Sequence, residues 1–227
     1  MLEGLKRWIS GSGADRTADT QALKSWADSR QAALRKPREG DGFIVDGRLD
    51  EVAWRLEWGP SQRPYVNGHE LRIRAELRLP SDLQVLVLNK ALQDALEKAV
   101  FDQYIEGVQT RIDTQTPPEL RWLVMFPKLS GSELGGLRDR WAAVTGSKPW
   151  LMAWLDGPLT QALATLRVDP ATPLVLMIGR GRLTLRSELP DPDPRDVEPL
   201  LRLFETALRE LRRVGAEDAA GPESSRT

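Results

Sequence analysis

Two stretches of alternating apolar and polar residues constrain the fold more than any other feature of the sequence. One runs from Val52 to Trp58, and the other from Leu71 to Leu79. A period of two places every second side chain of a strand on the same face. The two stretches therefore predict a half-buried antiparallel hairpin, whose outer face interleaves Arg with Glu.

The connection between these strands, residues 59–68, is the first candidate binding element. It is longer than a tight turn and contains two prolines, which predicts a rigid, projecting loop in which Arg63 and Tyr65 are available for recognition. The simpler alternative is that Tyr65 folds back on the sheet and the prolines only shape the connection. His69, the only histidine, follows at the mouth of the hairpin and is a further candidate. The simpler alternative for His69 is that it is an ordinary residue at a strand edge.

Periodicity and breakers predict the remaining elements. We expect one helix over residues 19–35, a second from Asn89 onward and a third around residues 137–144. A fourth helix begins at Ser147, and after a break at 157–158 a further helical segment continues through Leu166. We expect strands at 84–88 and 120–126, and a hairpin with strands 174–178 and 183–187. Residues 104–113 fit a helix or a strand. A final helix carries an apolar stripe from Val197 to Leu211.

This order lacks the regular βαβ alternation of a parallel sheet. We therefore predict an α+β fold: a largely antiparallel sheet with helices packed on one face and a closing C-terminal amphipathic helix. Residues 14–214 form one domain in this prediction. Residues 1–13 are a separable amphipathic segment, and residues 215–227 are a disordered tail.

Composition excludes several classes of protein. The 227 residues contain no cysteine, which removes disulfides and thiol chemistry. With 32 Lys+Arg against 33 Asp+Glu, no global field attracts nucleic acid or an anionic membrane. No stretch has the roughly 18–20 apolar residues of a membrane span, and the N-terminus does not resemble a secretory signal. A cytoplasmic location is the expectation.

The search for chemistry assigns no catalytic residue, metal or cofactor. Two carboxylate groups, at 46–51 and 191–196, lack catalytic spacing and suit a turn and a helix start. One alternative function is a hydrolase-like enzyme of unfamiliar type with its site near His69, Asp46 and Arg63. Another is nucleic-acid binding through arginines of the two hairpins, with interleaved Glu76 and Glu188 arguing against it. The arginines are Arg72, Arg74, Arg78, Arg180 and Arg182.

Eight tryptophans are many for this length, and Trp is enriched at binding hot spots. Six lie on apolar stripes and predict core, whereas Trp8 and Trp150 lack an obvious buried partner and are candidates for exposed contacts. The leading hypothesis is a non-enzymatic protein-interaction or scaffold domain with an unknown protein partner. Residues 1–9 also fit a weak peripheral membrane contact, since apolar residues lie there at helical spacing beside Lys6 and Arg7.

Overall fold

The computed structural model describes the backbone of residues 14–105 and 116–220, and the side chains of residues 21–102 and 116–215. The helices are α1 (Ala14–Ser29), α2 (Lys90–Ile105), α3 (Pro118–Met125), α4 (Gly131–Leu134), α5 (Lys148–Leu155), α6 (Pro158–Thr165) and α7 (Pro194–Ala220), with a 3₁₀ turn at Gly135–Leu137. The strands are β1 (Ala33–Arg35), β2 (Phe43–Leu49), β3 (Val52–Pro60), β4 (His69–Glu76), β5 (Val85–Asn89), β6 (Trp141–Thr145), β7 (Leu174–Gly179) and β8 (Arg182–Glu188).

The eight strands form one sheet in the order β1-β2-β3-β4-β8-β7-β5-β6. Every neighbouring pair is antiparallel. The two predicted hairpins are β3–β4 and β7–β8, and β4 pairs with β8 to join them. Between β7 and β8, Arg180 and Gly181 both have positive φ, 54° and 70°, as a two-residue hairpin turn of type I′ requires.

The main core lies on one face of the sheet. Alternate residues of the strands, such as Leu56, Ile73 and Leu185, are fully buried there. Helices α1, α5, α6 and α7 cover this face, and Phe204 of α7 and Trp154 of α5 are among its largest buried side chains. The α+β class, the antiparallel sheet and the closing amphipathic helix are confirmed.

A second, smaller apolar cluster lies on the opposite face. Strands β5, β6 and β7 are buried on both sides, and α2 and α3 pack on this second face through Leu92, Leu96, Trp122 and Leu123. The helical cover therefore includes two helices beyond those of the main core. The second face of β3, β4 and β8 is charged instead, and the candidate residues of the 59–68 connection lie next to it.

Three element predictions were wrong. Residues 120–126, predicted as a central strand, belong to α3, which Pro118 begins. Residues 141–144, predicted as helix, form β6. The helix predicted over 19–35 begins earlier and ends at Ser29, and β1 follows. In the first two cases a short, nearly continuous apolar run carries no period that separates helix from strand.

The ends of the chain complete this comparison. Helix α7 continues past Gly215 to Ala220, so its C-terminus lies beyond the predicted start of the tail at residue 215. Residues 1–13, with the predicted helix around Trp8, lie outside the described residues, as do residues 106–115 and 221–227. Asn89 does not cap α2 with its side chain. It ends β5 and bonds instead to the backbone of Pro170 and Leu174.

One carboxylate ties α1 to α7. Glu198 accepts hydrogen bonds from Trp26 Nε1 at 2.8 Å and Arg30 Nε at 2.7 Å, and Arg202 also donates to it. Burial alone would raise the pKa of Glu198, but these donors lower it to about 2. The N-terminal helix is therefore held to the closing helix by a charged contact as well as by the buried Leu23 and Ala27.

Candidate functional site

Arg63 and Tyr65 meet at a buried carboxylate. Arg63 Nε and Tyr65 OH each donate to Oε1 of Glu119, at 3.0 Å and 3.0 Å, and Glu119 is completely buried. Burial, together with the Glu119 charge, raises the pKa of Tyr65 well above its usual value. The loop therefore folds back on the sheet, as the simpler alternative predicted, and is tied to α3 rather than projecting.

Glu119 belongs to a larger group of ionic side chains, here called the Glu119 cluster. Arg186 Nε lies 3.8 Å from Glu119 Oε1, and its Nη1 donates to Glu70 at 2.5 Å. Arg72 bridges Glu70 and Glu57. Burial would raise the pKa of Glu57, but hydrogen bonds from Arg72 lower it. The members are Glu57, Arg63, Tyr65, Glu70, Arg72, Arg74, Glu119 and Arg186.

The Glu119 cluster is internally paired, with four arginines against three glutamates. Two buried atoms within it, Glu119 Oε2 and Arg186 Nε, have no hydrogen-bond partner in the part of the chain that the structure describes. Paired buried charges of this kind hold elements in register. They offer little to an outside ligand, because each charge already has a partner. The Glu119 cluster is therefore best explained as the contact that fixes the 59–68 loop and α3 on the sheet.

Three of the five arginines predicted for nucleic-acid binding are likewise paired with glutamates. Arg72, Arg74 and Arg182 lie on the charged face, as the alternative required, but each is paired with a glutamate: Glu57 for the first two and Glu76 for the third. Arg180 lies in the β7–β8 turn. The second face therefore presents alternating charge rather than a basic surface.

His69 has an aromatic environment. Its ring stacks on Trp58, with centroids 4.5 Å apart and planes inclined by 7°. Phe43 also stacks on Trp58, with ring centroids 5.7 Å apart. Asp46 is held by Arg35 and Arg55, and Arg63 by Glu119. The three residues of the hydrolase alternative thus have separate partners, and no contact joins them in the part of the chain that the structure describes.

Trp150, predicted as an exposed contact, is buried to all but 8% of its surface and packs against Trp154 in a tilted arrangement, with ring centroids 5.8 Å apart. Its remaining edge lines a groove of about 870 Å³ between α7 and the segment that follows β4. We call this the C-terminal groove. Its lining residues are Asp50, Val52, Leu77, Arg78, Leu79, Pro80, Trp150, Arg209, Leu211, Arg212, Arg213 and Gly215.

The C-terminal groove combines an apolar floor with a basic rim. Five apolar side chains, Val52, Leu77, Leu79, Trp150 and Leu211, form the floor. Among the described side chains, four arginines and a single carboxylate, Asp50, surround them.

The arginines of the rim differ in their partners. Arg212 is paired with Asp50 at 2.9 Å, and Arg213 with Glu210 at 2.8 Å. Arg78 and Arg209 are exposed, and neither has a hydrogen-bond or ion-pair partner among the described residues. These two guanidinium groups are therefore available to a ligand on opposite walls of the groove.

Neither Glu119 of the Glu119 cluster nor Arg209 of the C-terminal groove was among the candidate residues predicted from the sequence. Glu119 directly precedes the predicted strand 120–126 and was assigned to no element, and its partner Arg63 is 56 residues away along the chain. The one usable signal was Pro118, whose position favours the first turn of a helix and would have placed Glu119, Trp122 and Leu123 on one side.

Among the described residues, no group of three or more acidic or histidine side chains is arranged to hold a metal ion. The carboxylates at 191–196 act locally: Asp193 accepts from the backbone N–H of Arg195 at 2.7 Å at the start of α7. Within residues 14–105 and 116–220, no helix has the length and apolar character needed to cross a bilayer.

Comparison with known proteins gives little guidance. No family model and no curated protein sequence matches the chain. A solved structure that resembles it is the crystal structure of the mycobacterial trehalose monomycolate transport factor A, TtfA, with a TM-score of 0.49 and 12% identity over 86% of this chain and 94% of that chain. A likeness at this level supports no inference about function.

Proposed function

We propose that the chain is a non-enzymatic protein-interaction domain and that a segment of its partner lies in the C-terminal groove. The observation that carries the proposal is the pair Arg78 and Arg209. These two arginines flank an apolar floor, and neither has a hydrogen-bond or ion-pair partner among the described residues. Arg and Trp are the residue types that contribute most at protein interfaces. A floor containing Trp150 between two such arginines has the composition of an interface centre.

The volume and openness of the site favour a macromolecular segment. A groove of about 870 Å³ is within the range of ligand sites. It is open along its length between a helix and a loop, so a chain segment can enter and leave without the domain opening. The division into residues 1–13, one domain and a tail stays a prediction, as does the cytoplasmic location.

Blocking the groove tests this proposal without removing any side chain. A Cβ at Gly215 would meet only Leu79 Cδ2, at 3.7 Å, so a larger side chain at this position points into the groove. A photo-crosslinking amino acid at the exposed Pro80 reports on the occupant in cells of the native host. We expect a reproducible protein adduct that Gly215→Phe abolishes and the matched control Gly215→Ala retains.

Two outcomes would overturn the proposal. One is the absence of any adduct from Pro80. The other is an adduct of equal yield in the Gly215→Phe and Gly215→Ala variants, since the partner would then lie outside the groove. Thermal unfolding of both variants serves as the folding control.

A further inference from the structure

The charges and shape of the C-terminal groove also specify the chemistry of its occupant. We infer that the groove binds an amphipathic helix with acidic residues beside its apolar stripe. This inference rests on the proposed function and names the class of partner segment.

The rim sets the sign of the partner's charge. Arg78 comes from the segment after β4 and Arg209 from α7, so each wall carries one guanidinium that has no partner among the described side chains. A guanidinium presents a planar fork of donors that matches a carboxylate with two parallel hydrogen bonds. Asp50 does not neutralise them, because it is already bound to Arg212. A partner with carboxylates on both flanks fits this arrangement, and a basic partner is repelled.

The floor sets the need for an apolar stripe between those carboxylates. Val52, Leu77 and Leu79 are only partly covered by the main core, and Trp150 and Leu211 close the floor beneath them. Helix-in-groove recognition uses apolar anchors spaced three and four residues apart along one side of the bound helix. The apolar floor gives such anchors a surface to pack on. A nucleic-acid backbone has no apolar anchors of this kind.

The volume sets the length of the contact. Two turns of helix, about 10 Å across and 11 Å long, occupy close to the volume of about 870 Å³ that the groove provides. The groove therefore accommodates about two turns, enough for three apolar anchors and a carboxylate on each side.

Fluorescence anisotropy with a labelled helical peptide of about 12 residues tests the inference. The acidic peptide carries Leu at the anchor positions and Glu on both flanks, and a matched basic peptide carries Lys in place of Glu. We expect the acidic peptide to bind the full chain and the basic peptide not to bind. Because the contact is partly electrostatic, added salt should weaken it severalfold.

The double variant Arg78→Glu/Arg209→Glu should weaken binding of the acidic peptide at least tenfold. The matched control is Arg167→Glu, an exposed arginine outside the groove, which should leave the affinity within twofold. Equal binding of the acidic and basic peptides, or an acidic peptide that binds the double variant unchanged, overturns the inference. So does an acidic peptide that fails to bind the parent chain.

Two further probes separate other anionic ligands. A duplex oligonucleotide or vesicles of anionic phospholipid, bound in an Arg78- and Arg209-dependent manner when the acidic peptide is not, would replace the acidic helix as occupant and overturn the inference. Failure here leaves the crosslinking result from Pro80 intact. A groove-dependent protein adduct without peptide binding therefore refutes the partner chemistry and retains the interaction domain.

Discussion

Replacing Glu119 with glutamine removes a carboxylate that is completely buried and accepts hydrogen bonds from Arg63 and Tyr65, each at 3.0 Å. Removing one partner of a buried ion pair costs about 3–5 kcal/mol, because the other charge is left uncompensated. The glutamine carbonyl can retain the two donors, and a hydrogen bond is worth about 1 kcal/mol net. We therefore expect Glu119→Gln to lower the free energy of unfolding by about 2 kcal/mol.

The side-chain NH₂ group of the glutamine can occupy the position of Glu119 Oε2. Oε2 of Glu119 has no hydrogen-bond partner within residues 14–105 and 116–220, so an NH₂ group at that position breaks none of the hydrogen bonds described there. The cost should therefore come from the lost charge beside Arg63 and Arg186, whose side chains are only 18% and 10% exposed. The same loss should loosen the 59–68 loop, since Arg63 and Tyr65 tie it to α3.

Urea unfolding gives the free energy, and amide hydrogen exchange over residues 61–68 gives the local effect. The matched control is Glu76→Gln at the end of β4, where the pair with Arg182 is exposed and should be worth about 0–1 kcal/mol. A Glu119→Gln variant that unfolds within 0.5 kcal/mol of the Glu76→Gln control (roughly the spread among surface substitutions), with unchanged exchange in the loop, would refute the reasoning.

Three further predictions concern packing and pH. Because the pKa of Glu198 is lowered to about 2 in the folded chain from 4.5, its contribution, at most about 3 kcal/mol, should be complete above pH 4.5 and lost as the pH falls toward 2; acid unfolding of Glu198→Gln should show a shallower loss. Gly47→Ala should cost about 1–3 kcal/mol in chemical denaturation, because its Cβ would lie 2.1 Å from the buried ring of Trp54. Gly215→Ala should stabilise α7 by up to about 1 kcal/mol, seen as a higher thermal midpoint, because its Cβ would make only an ordinary contact with Leu79.

The parts of the fold that sequence predicted are those with a clear period. The alternation at 52–58 and 71–79 gave β3 and β4, and the long stripe from Val197 gave α7. Two of the three wrong assignments, residues 120–126 and 141–144, are short runs in which apolar residues occupy nearly every position. In β6 both faces are buried, so no alternation exists to be detected.

The candidate site was less accessible to sequence reasoning. Trp150 was selected as exposed, yet only its edge reaches the C-terminal groove. Arg78 and Arg209 are brought together by the packing of α7 beside the end of β4, a long-range contact that no local pattern encodes. Arg63 and Tyr65 were predicted as candidates for recognition, and their partner Glu119 could be identified only once α3 was placed.

The contact of α3 with the sheet shows why a buried charge belongs at this position. Glu119, Trp122 and Leu123 are spaced three and four residues apart, so they lie on the same side of the helix and are all buried. Trp122 covers Gly179, where a Cβ would lie 2.5 Å from the indole ring, and so requires glycine beneath it. The observed rotation of α3 packs the apolar pair on β5, β6 and β7 and also places Glu119 against Arg63 and Arg186. The border between the apolar and charged halves of this face therefore sets the rotation of α3, and that rotation leaves Val124 and Met125 exposed.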